Sequence, residues 1–210
     1  MQPEKTDWSI YYTRPKSRFS TFTQKHTLKY LLNEISMAGL EINSSILELG
    51  GGNSCFAEGL RKNLPIGRYD VIDNCKVALD KLKNGSPVDR AWDFDLCKDI
   101  KSTELQEQFD FVYSVGLVEH FSDEERRTVI QNHFACCKKG GFVLITAPTP
   151  TVKYRVIRKG MEIMRVWQFW DEVPIRLDKL VNEMEYYGRI IDSGINNLPL
   201  TQAVVLCRKE

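Results

Sequence analysis

The sequence has no apolar run approaching the roughly 20 residues that span a bilayer, so no transmembrane segment is expected. The stretch Met1-Gln2-Pro3-Glu4-Lys5 is polar and has none of the apolar character of a secretory signal, which makes the cytoplasm the expected location. An excess of one charge is also missing. Twenty-nine Lys and Arg against 28 Asp and Glu leave a formal net charge of +1. That balance gives no global pull toward nucleic acid or membrane, so nucleic acid is not an expected partner and any basic surface must be local. The six cysteines, at 55, 75, 97, 136, 137 and 207, include no Cys-x-x-Cys pair. Two of them are adjacent, which suits neither a zinc site nor a disulfide framework. They read as small reduced thiols, several among apolar neighbours.

No repeat, low-complexity tract or Pro/Gly/Ser linker divides the chain, and 210 residues suit one domain with a sizeable core. From Ser45 onward, short β-rich runs alternate with stretches of helical spacing. Strands are expected at Ile46–Leu49, Arg68–Ile72, Trp92–Asp95, Phe109–Ser114 and Phe142–Thr146. Helices are expected at Asn53–Lys62, around Ala78, Leu79 and Leu82, and from Asp123 to about Cys137, stopped by Lys139-Gly140-Gly141. Such alternation implies βαβ crossovers with helices on both faces of a parallel sheet. Beyond it lie a helical stretch Val152–Trp167, another at Leu177–Tyr187, and two strands, Arg189–Ile195 and Gln202–Arg208, around an Asn-Asn-Leu-Pro loop. The expectation is an α/β, Rossmann-like doubly wound, mainly parallel seven-stranded sheet with an antiparallel C-terminal hairpin at its edge. Before the first strand comes an aromatic and basic prelude (Trp8, Tyr11, Tyr12, Arg14, Lys16, Arg18, Phe19, Phe22), then a helix near Gln24–Ala38.

In an open parallel sheet, ligands bind beyond the carboxyl ends of the strands. Gly50, Gly51 and Gly52 end the first strand there, and their bare main chain admits close approach. Strand two ends in Asp73, whose carboxylate can accept from both hydroxyls of a ribose. Two cofactors meet these conditions, a nicotinamide dinucleotide and S-adenosylmethionine (SAM). The dinucleotide fingerprint Gly-x-Gly-x-x-Gly fails at its third glycine, which is Cys55. Glu48 would also face anionic phosphates, whereas SAM carries a sulfonium and an ammonium. The electrostatics favour SAM.

Glu48-Leu49-Gly50-Gly51-Gly52-Asn53-Ser54 resembles the first motif of class I SAM-dependent methyltransferases of the small-molecule type, and Asp73 resembles their ribose-binding acid. Phe109–Ser114 followed by Val115-Gly116-Leu117-Val118-Glu119-His120-Phe121 resembles their fourth-strand motif, and Lys138-Lys139-Gly140-Gly141-Phe142 the turn into their fifth strand. The match runs from Ser45 to about Ala147. It implies SAM as cofactor and S-adenosylhomocysteine (SAH) as product. It also implies that Gly50–Gly52 lie along the methionine and ribose portion, with Glu48 holding the loop and Asn74 beside Asp73. Asp95, with Asp93 as rival, would accept from the adenine amino group, Leu96 would lie against the ring, and Ser114 and Val115 would line the methionine end.

Methyl transfer from a sulfonium needs an acceptor held in line and, for a hydroxyl, a group to remove its proton. Histidine suits that task near neutral pH. Of His26, His120 and His133, His120 follows the fourth strand and is the candidate base; its other reading is a packing or hydrogen-bonding role under the cofactor. Some quinone-pathway O-methyltransferases hold a metal with Glu-x-x-Glu-His; here Glu119-His120 remain but the first position is Gly116, so no metal is expected. No Asn-Pro-Pro-Tyr or Asp-Pro-Pro-Tyr follows strand four and no Pro-Cys pair is present, which sets aside the nucleic-acid methylases that use them.

The expected organisation is one methyltransferase domain, 1–210. It divides into a cap or substrate segment 1–44, a SAM-binding core 45–147, a lid-like insertion 151–174, and a helix with hairpin 175–210. The insertion carries Lys153, Arg155, Arg158, Lys159 and Arg165, then Trp167, Phe169 and Trp170. It reads either as a cover that meets an anionic acceptor or as a solvated amphipathic helix. A role at a membrane surface is a weaker reading for one short basic face. The function expected is methylation of a small molecule, at a hydroxyl of a metabolite or glycan precursor. The alternative is a SAM-binding module without turnover that acts through partners.

Overall fold

The computed structural model describes residues 5–15, 18–82, 86–197 and 201–210. Met1 to Glu4, Lys16, the side chains of Arg18 and Phe19, and Leu198-Pro199 of the hairpin loop lie outside the described residues. Strands β1 (Ser45–Leu49), β2 (Arg68–Asp73), β3 (Arg90–Asp93), β4 (Phe109–Val115) and β5 (Cys137–Pro148) pair in parallel. With β6 (Gly188–Asn196) and β7 (Gln202–Lys209) they form a seven-stranded sheet in the order β3-β2-β1-β4-β5-β7-β6. The doubly wound, mainly parallel sheet is as expected. The antiparallel hairpin lies at the sheet edge, with β7 between β5 and the outer strand β6.

Both faces of the sheet are covered, which is why its central strands are apolar on both sides. Ile46, Tyr69, Val71, Phe111 and Leu144 face one layer, built by α2 (Arg18–Ala38), α3 (Ala57–Asn63) and α4 (Lys76–Asp80). Leu47, Leu49, Ile72, Val112 and Val143 face the other, built by α5 (Asp123–Cys136) and α7 (Leu177–Glu185). Each large apolar side chain buried this way contributes about 1.5–3 kcal/mol. Those gains outweigh the few charged groups the core also takes in, such as Arg126, which ties α5 to Glu183 of α7 at 2.9 Å.

Several boundaries moved from their expected places. Helix α3 begins at Ala57 rather than Asn53, because the chain is still turning through Ser54 (φ 43°). Helix α5 opens at Asp123 on a reciprocal cap between Ser122 and Glu125, as the sequence suggested. It ends at Cys136, and Lys139-Gly140-Gly141 belong to β5 instead of stopping the helix. Helix α6 (Val152–Ile163) does not reach Trp167: Arg165 takes a left-handed φ of 56° and the chain continues irregularly. The prelude contains a short helix, α1 (Trp8–Thr13), capped by Asp7, whose Oδ1 accepts from Ile10 N at 3.0 Å. Helix α2 starts earlier than expected, at Arg18. None of the six cysteines forms a disulfide. Among the described residues no helix is long and apolar enough to cross a membrane.

Candidate active site

The sheet order turns back between β1 and β4, where the connections leave in opposite directions. Beyond the carboxyl ends of β1, β2 and β4 lies a cleft of about 920 Å³. Gly50 has φ +65° and packs against the Leu117 side chain, so a side chain here would be both strained and blocked. Glu48 is buried behind the loop, accepting from Ser54 Oγ at 2.6 Å and from Tyr69 Oη at 2.7 Å. Burial pushes its carboxyl up to about 7, against the pull of those hydrogen bonds. Ser54 thus clips the glycine loop back to the acid at the end of the strand that launches it.

Asp73 at the end of β2 accepts from Gly52 N at 2.8 Å with one oxygen and from Cys75 N at 2.7 Å with the other. Burial raises its pKa while those N–H groups oppose the shift. The carboxylate keeps acceptor capacity beyond these backbone bonds, and Asp73 and Asn74 both line the cleft. Gly50, Gly51 and Val115 line it too, as do Asp95 and Leu96, with Asp95 Oδ1 accepting from Cys97 N at 3.0 Å. Three expected residues fall elsewhere. Gly52 braces Asp73 and is covered by the phenol of Tyr12. Ser114 is fully buried within β4, with no partner for its hydroxyl. Asp93, the rival to Asp95, is exposed on β3.

His120 closes a 3₁₀ turn (Val118–His120) that follows β4, and it lines the cleft. Its Nδ1 lies 3.1 Å from Asp171 Oδ1, and Thr6 Oγ1 donates to the same carboxylate oxygen. Burial lowers the imidazole pKa below 6.5, and the Asp171 charge resists that shift. The ring is therefore neutral near pH 7, with Nδ1–H donated to Asp171 and Nε2 left as the basic atom. Burial raises Asp171, yet the bonds from Thr6 and the nearby imidazole hold it below its usual 3.8. Trp8 meets the ring edge-on at 5.0 Å, and Phe169 lies 6.0 Å away. His133 is fully buried, with Nδ1 on the Val129 carbonyl at 2.7 Å, and burial pushes it down to about 4. His26 packs on Phe22 and does not line the cleft.

Sequence reasoning missed several groups that complete this site. Tyr11, Tyr12 and Trp8 of α1 form one wall, and Lys81 Nζ donates to the Tyr12 carbonyl to pin the helix on α4. The aromatic density of the prelude was visible, but nothing local showed where it docks. Glu119, His120 and Glu172 also bring one potential metal-ligand atom each within 4.8 Å of one another. Glu172 is thus a third potential ligand beside Glu119 and His120, which the local Glu-x-x-Glu-His pattern did not show. Its carboxylate is already engaged, however: the Tyr154 hydroxyl donates to Oε1, and Arg158 Nη1 stands 3.9 Å from the same atom. Burial, with repulsion from Glu172 and Asp171, pushes Glu119 well above the usual carboxylate range.

The five basic residues of 151–174, read either as meeting an anionic acceptor or as a solvated helix face, do not line the cleft. Arg158 is turned inward to Glu162, Tyr154 and the Glu172 carbonyl, and Lys153, Arg155, Lys159 and Arg165 face outward. The lining carries the acids Glu48, Asp73, Asp95, Glu119, Glu125, Asp171 and Glu172, with Lys5, Arg14 and Lys81 as its cations.

A glycine loop after β1, an acid ending β2, an acid after β3 and this strand order define the fold of class I SAM-dependent methyltransferases. The chain belongs to a methyltransferase domain family, whose model matches residues 22–188. Among solved structures it is similar to magnesium protoporphyrin IX methyltransferase from Synechocystis with bound SAH, at TM-score 0.71 and 12% identity, covering 97% of this chain and 93% of that one. It is also similar to the N-methyltransferase NodS from Bradyrhizobium japonicum in complex with SAH, at TM-score 0.63 and 17% identity, covering 92% and 89%. A putative sarcosine dimethylglycine methyltransferase from Galdieria sulphuraria gives TM-score 0.63 and 14% identity, covering 88% and 85%. No curated protein matches the sequence.

Proposed function

We propose that this protein transfers a methyl group from SAM to a hydroxyl of a small-molecule acceptor, such as a metabolite or glycan precursor, with His120 as the proton acceptor. The observation that carries the reading is the His120–Asp171 pair at the cleft wall, 3.1 Å apart. When bound, SAM supplies an electrophilic methyl on a good leaving group. The chain's residues would do the rest. Asp73 and Asn74 would hold the ribose, Asp95 and Leu96 the adenine, and Gly50 and Gly51 would run beneath the methionine portion, steadied by Glu48 through Ser54. Asp171 would hold Nδ1–H, leaving Nε2, 3.9 Å from Glu119 Oε1, to take the acceptor's proton as the new bond forms. Segments 5–15 and 164–173 would cover the cleft, exclude water and select the acceptor.

This arrangement favours turnover over a module that only binds SAM, since binding alone has no use for an oriented neutral imidazole. A second reading, an amine acceptor, is supported by the Asp171 carboxylate, held below its usual pKa, on a cleft lined by aromatic rings, a setting that suits a cation. SAH release over a panel of hydroxylated and amino acceptors tests both, comparing wild type with His120→Gln. The expected result is release with a hydroxylated acceptor, reduced about 10²–10⁴-fold in the variant with SAH affinity unchanged. Bound SAM with no release for any acceptor would leave the binding-module reading in its place.

A further inference from the structure

Surface helices normally present polar side chains at the centre of their exposed face. Helix α6 does the reverse. Val152, Val156 and Ile163 fall on one face, at 78%, 66% and 73% exposure, while Tyr154 on the opposite face is buried. Beyond the helix, Met164 and Trp170 are exposed as well. Around these apolar groups stand Lys153, Arg155, Lys159 and Arg165, all exposed. No acid of segment 151–174 is exposed: Glu162 is drawn in by Arg158 at 3.0 Å with Lys159 near it at 3.6 Å, Asp171 turns to His120, and Glu172 is buried. The opposite side of the same segment, through Met161, Trp167 and Phe169, walls the cleft.

We infer that this face docks on an anionic lipid bilayer, with Val152, Val156 and Ile163 entering the headgroup–acyl boundary and the four cations meeting lipid phosphates. Charge complementarity selects the occupant. A second copy of the chain seated on this face by a two-fold axis would set four cations against four cations. The apolar groups project from a convex helix, a shape that a fluid acyl layer accommodates without a preformed groove. Trp170, exposed beyond the helix, has the amphipathic ring favoured at the headgroup level. The formal net charge of +1 hides this patch, because the balancing acids lie in the cleft and elsewhere. Docking would set the outer wall of the cleft against the membrane, so amphiphilic acceptors would reach the site from the bilayer surface.

Flotation of the full chain with phosphatidylcholine vesicles, with and without phosphatidylglycerol, tests the inference independently of methyl transfer. The expected result is partition onto the anionic vesicles only, weakening as salt rises. Arg155→Gln with Lys159→Gln should lower that partition about thirtyfold, at the contribution expected per basic residue near such a surface. Val156→Ser with Ile163→Ser should lower it by roughly tenfold or more. All four positions are exposed, and unchanged melting by circular dichroism checks that each pair still folds. No partition by the wild type, equal partition onto neutral vesicles, or wild-type partition by both variants would overturn the inference. So would a concentration-dependent dimer abolished by Val156→Ser with Ile163→Ser, which would make the face a self-interface.

Discussion

His120 Nδ1 and Asp171 Oδ1 lie 3.1 Å apart although 51 residues separate them in the chain. The contact joins the turn after β4 to the irregular stretch after α6, and Thr6 from the N-terminal segment closes on the same oxygen. Three parts of the sequence that look unrelated thereby set the tautomer of one imidazole.

Asp171→Asn should therefore lower kcat by about 10²–10⁴-fold, the usual scale of general-base catalysis, with little change in SAH affinity. The pH profile carries a second signature. Burial holds His120 below 6.5, so wild-type activity should rise on an acid limb with a midpoint below that value and be flat near pH 7. Asp171 raises the imidazole pKa, so its loss should move that limb to lower pH. A limb that moves upward, or an unchanged kcat, would remove Asp171 from the positioning role.

Glu48 gives a stability prediction. Its folded pKa, about 7, stands above the ordinary 4.5 because the carboxyl is buried. The folded state holds that proton more tightly, so the contribution is fully favourable below pH 4.5 and is lost as pH rises to about 7. Across that window the loss is roughly 3 kcal/mol. Glu48→Gln keeps an acceptor for Ser54 and Tyr69 and removes the titration. Its melting temperature should match the wild type at pH 5 and exceed it at pH 8. A variant less stable at pH 8 would show that the carboxylate itself holds the loop.

Chelation separates the imidazole reading from a metal reading. Arg158 and Tyr154 already engage the Glu172 carboxylate, so the cleft has its own cation beside the Glu119–His120–Glu172 group. Turnover should survive EDTA and gain nothing from added magnesium or manganese. Loss on EDTA that manganese restores would assign these three residues to an ion.

The sheet and the part of the cleft proposed to hold SAM were legible because their signals are local. The short β-rich runs, the glycines after β1 and Asp73 at the end of β2 each lie within a few residues of what they organise. Asp95 could be preferred to Asp93 from spacing alone, and only Asp95 lines the cleft. Ser114 was misplaced because adjacent strand residues point to opposite faces, and Val115, not Ser114, opens on the cleft. The acceptor half was illegible for a different reason. Trp8, Tyr11, Tyr12, Phe169, Asp171 and Glu172 come from connecting segments whose docking depends on tertiary packing, and no periodicity records that. The basic residues of 151–174 left two readings open for the same cause: spacing showed an amphipathic helix without showing which face turns inward.

The central claim rests on Asp73 as the ribose acid of a SAM site. Calorimetric titration of SAH into wild type and Asp73→Ala tests it directly. The account predicts one site per chain in the wild type and an affinity reduced about 10–150-fold in the variant, the scale of a lost hydrogen bond to a charged group. Equal affinity for both proteins, or no binding by the wild type, would contradict it.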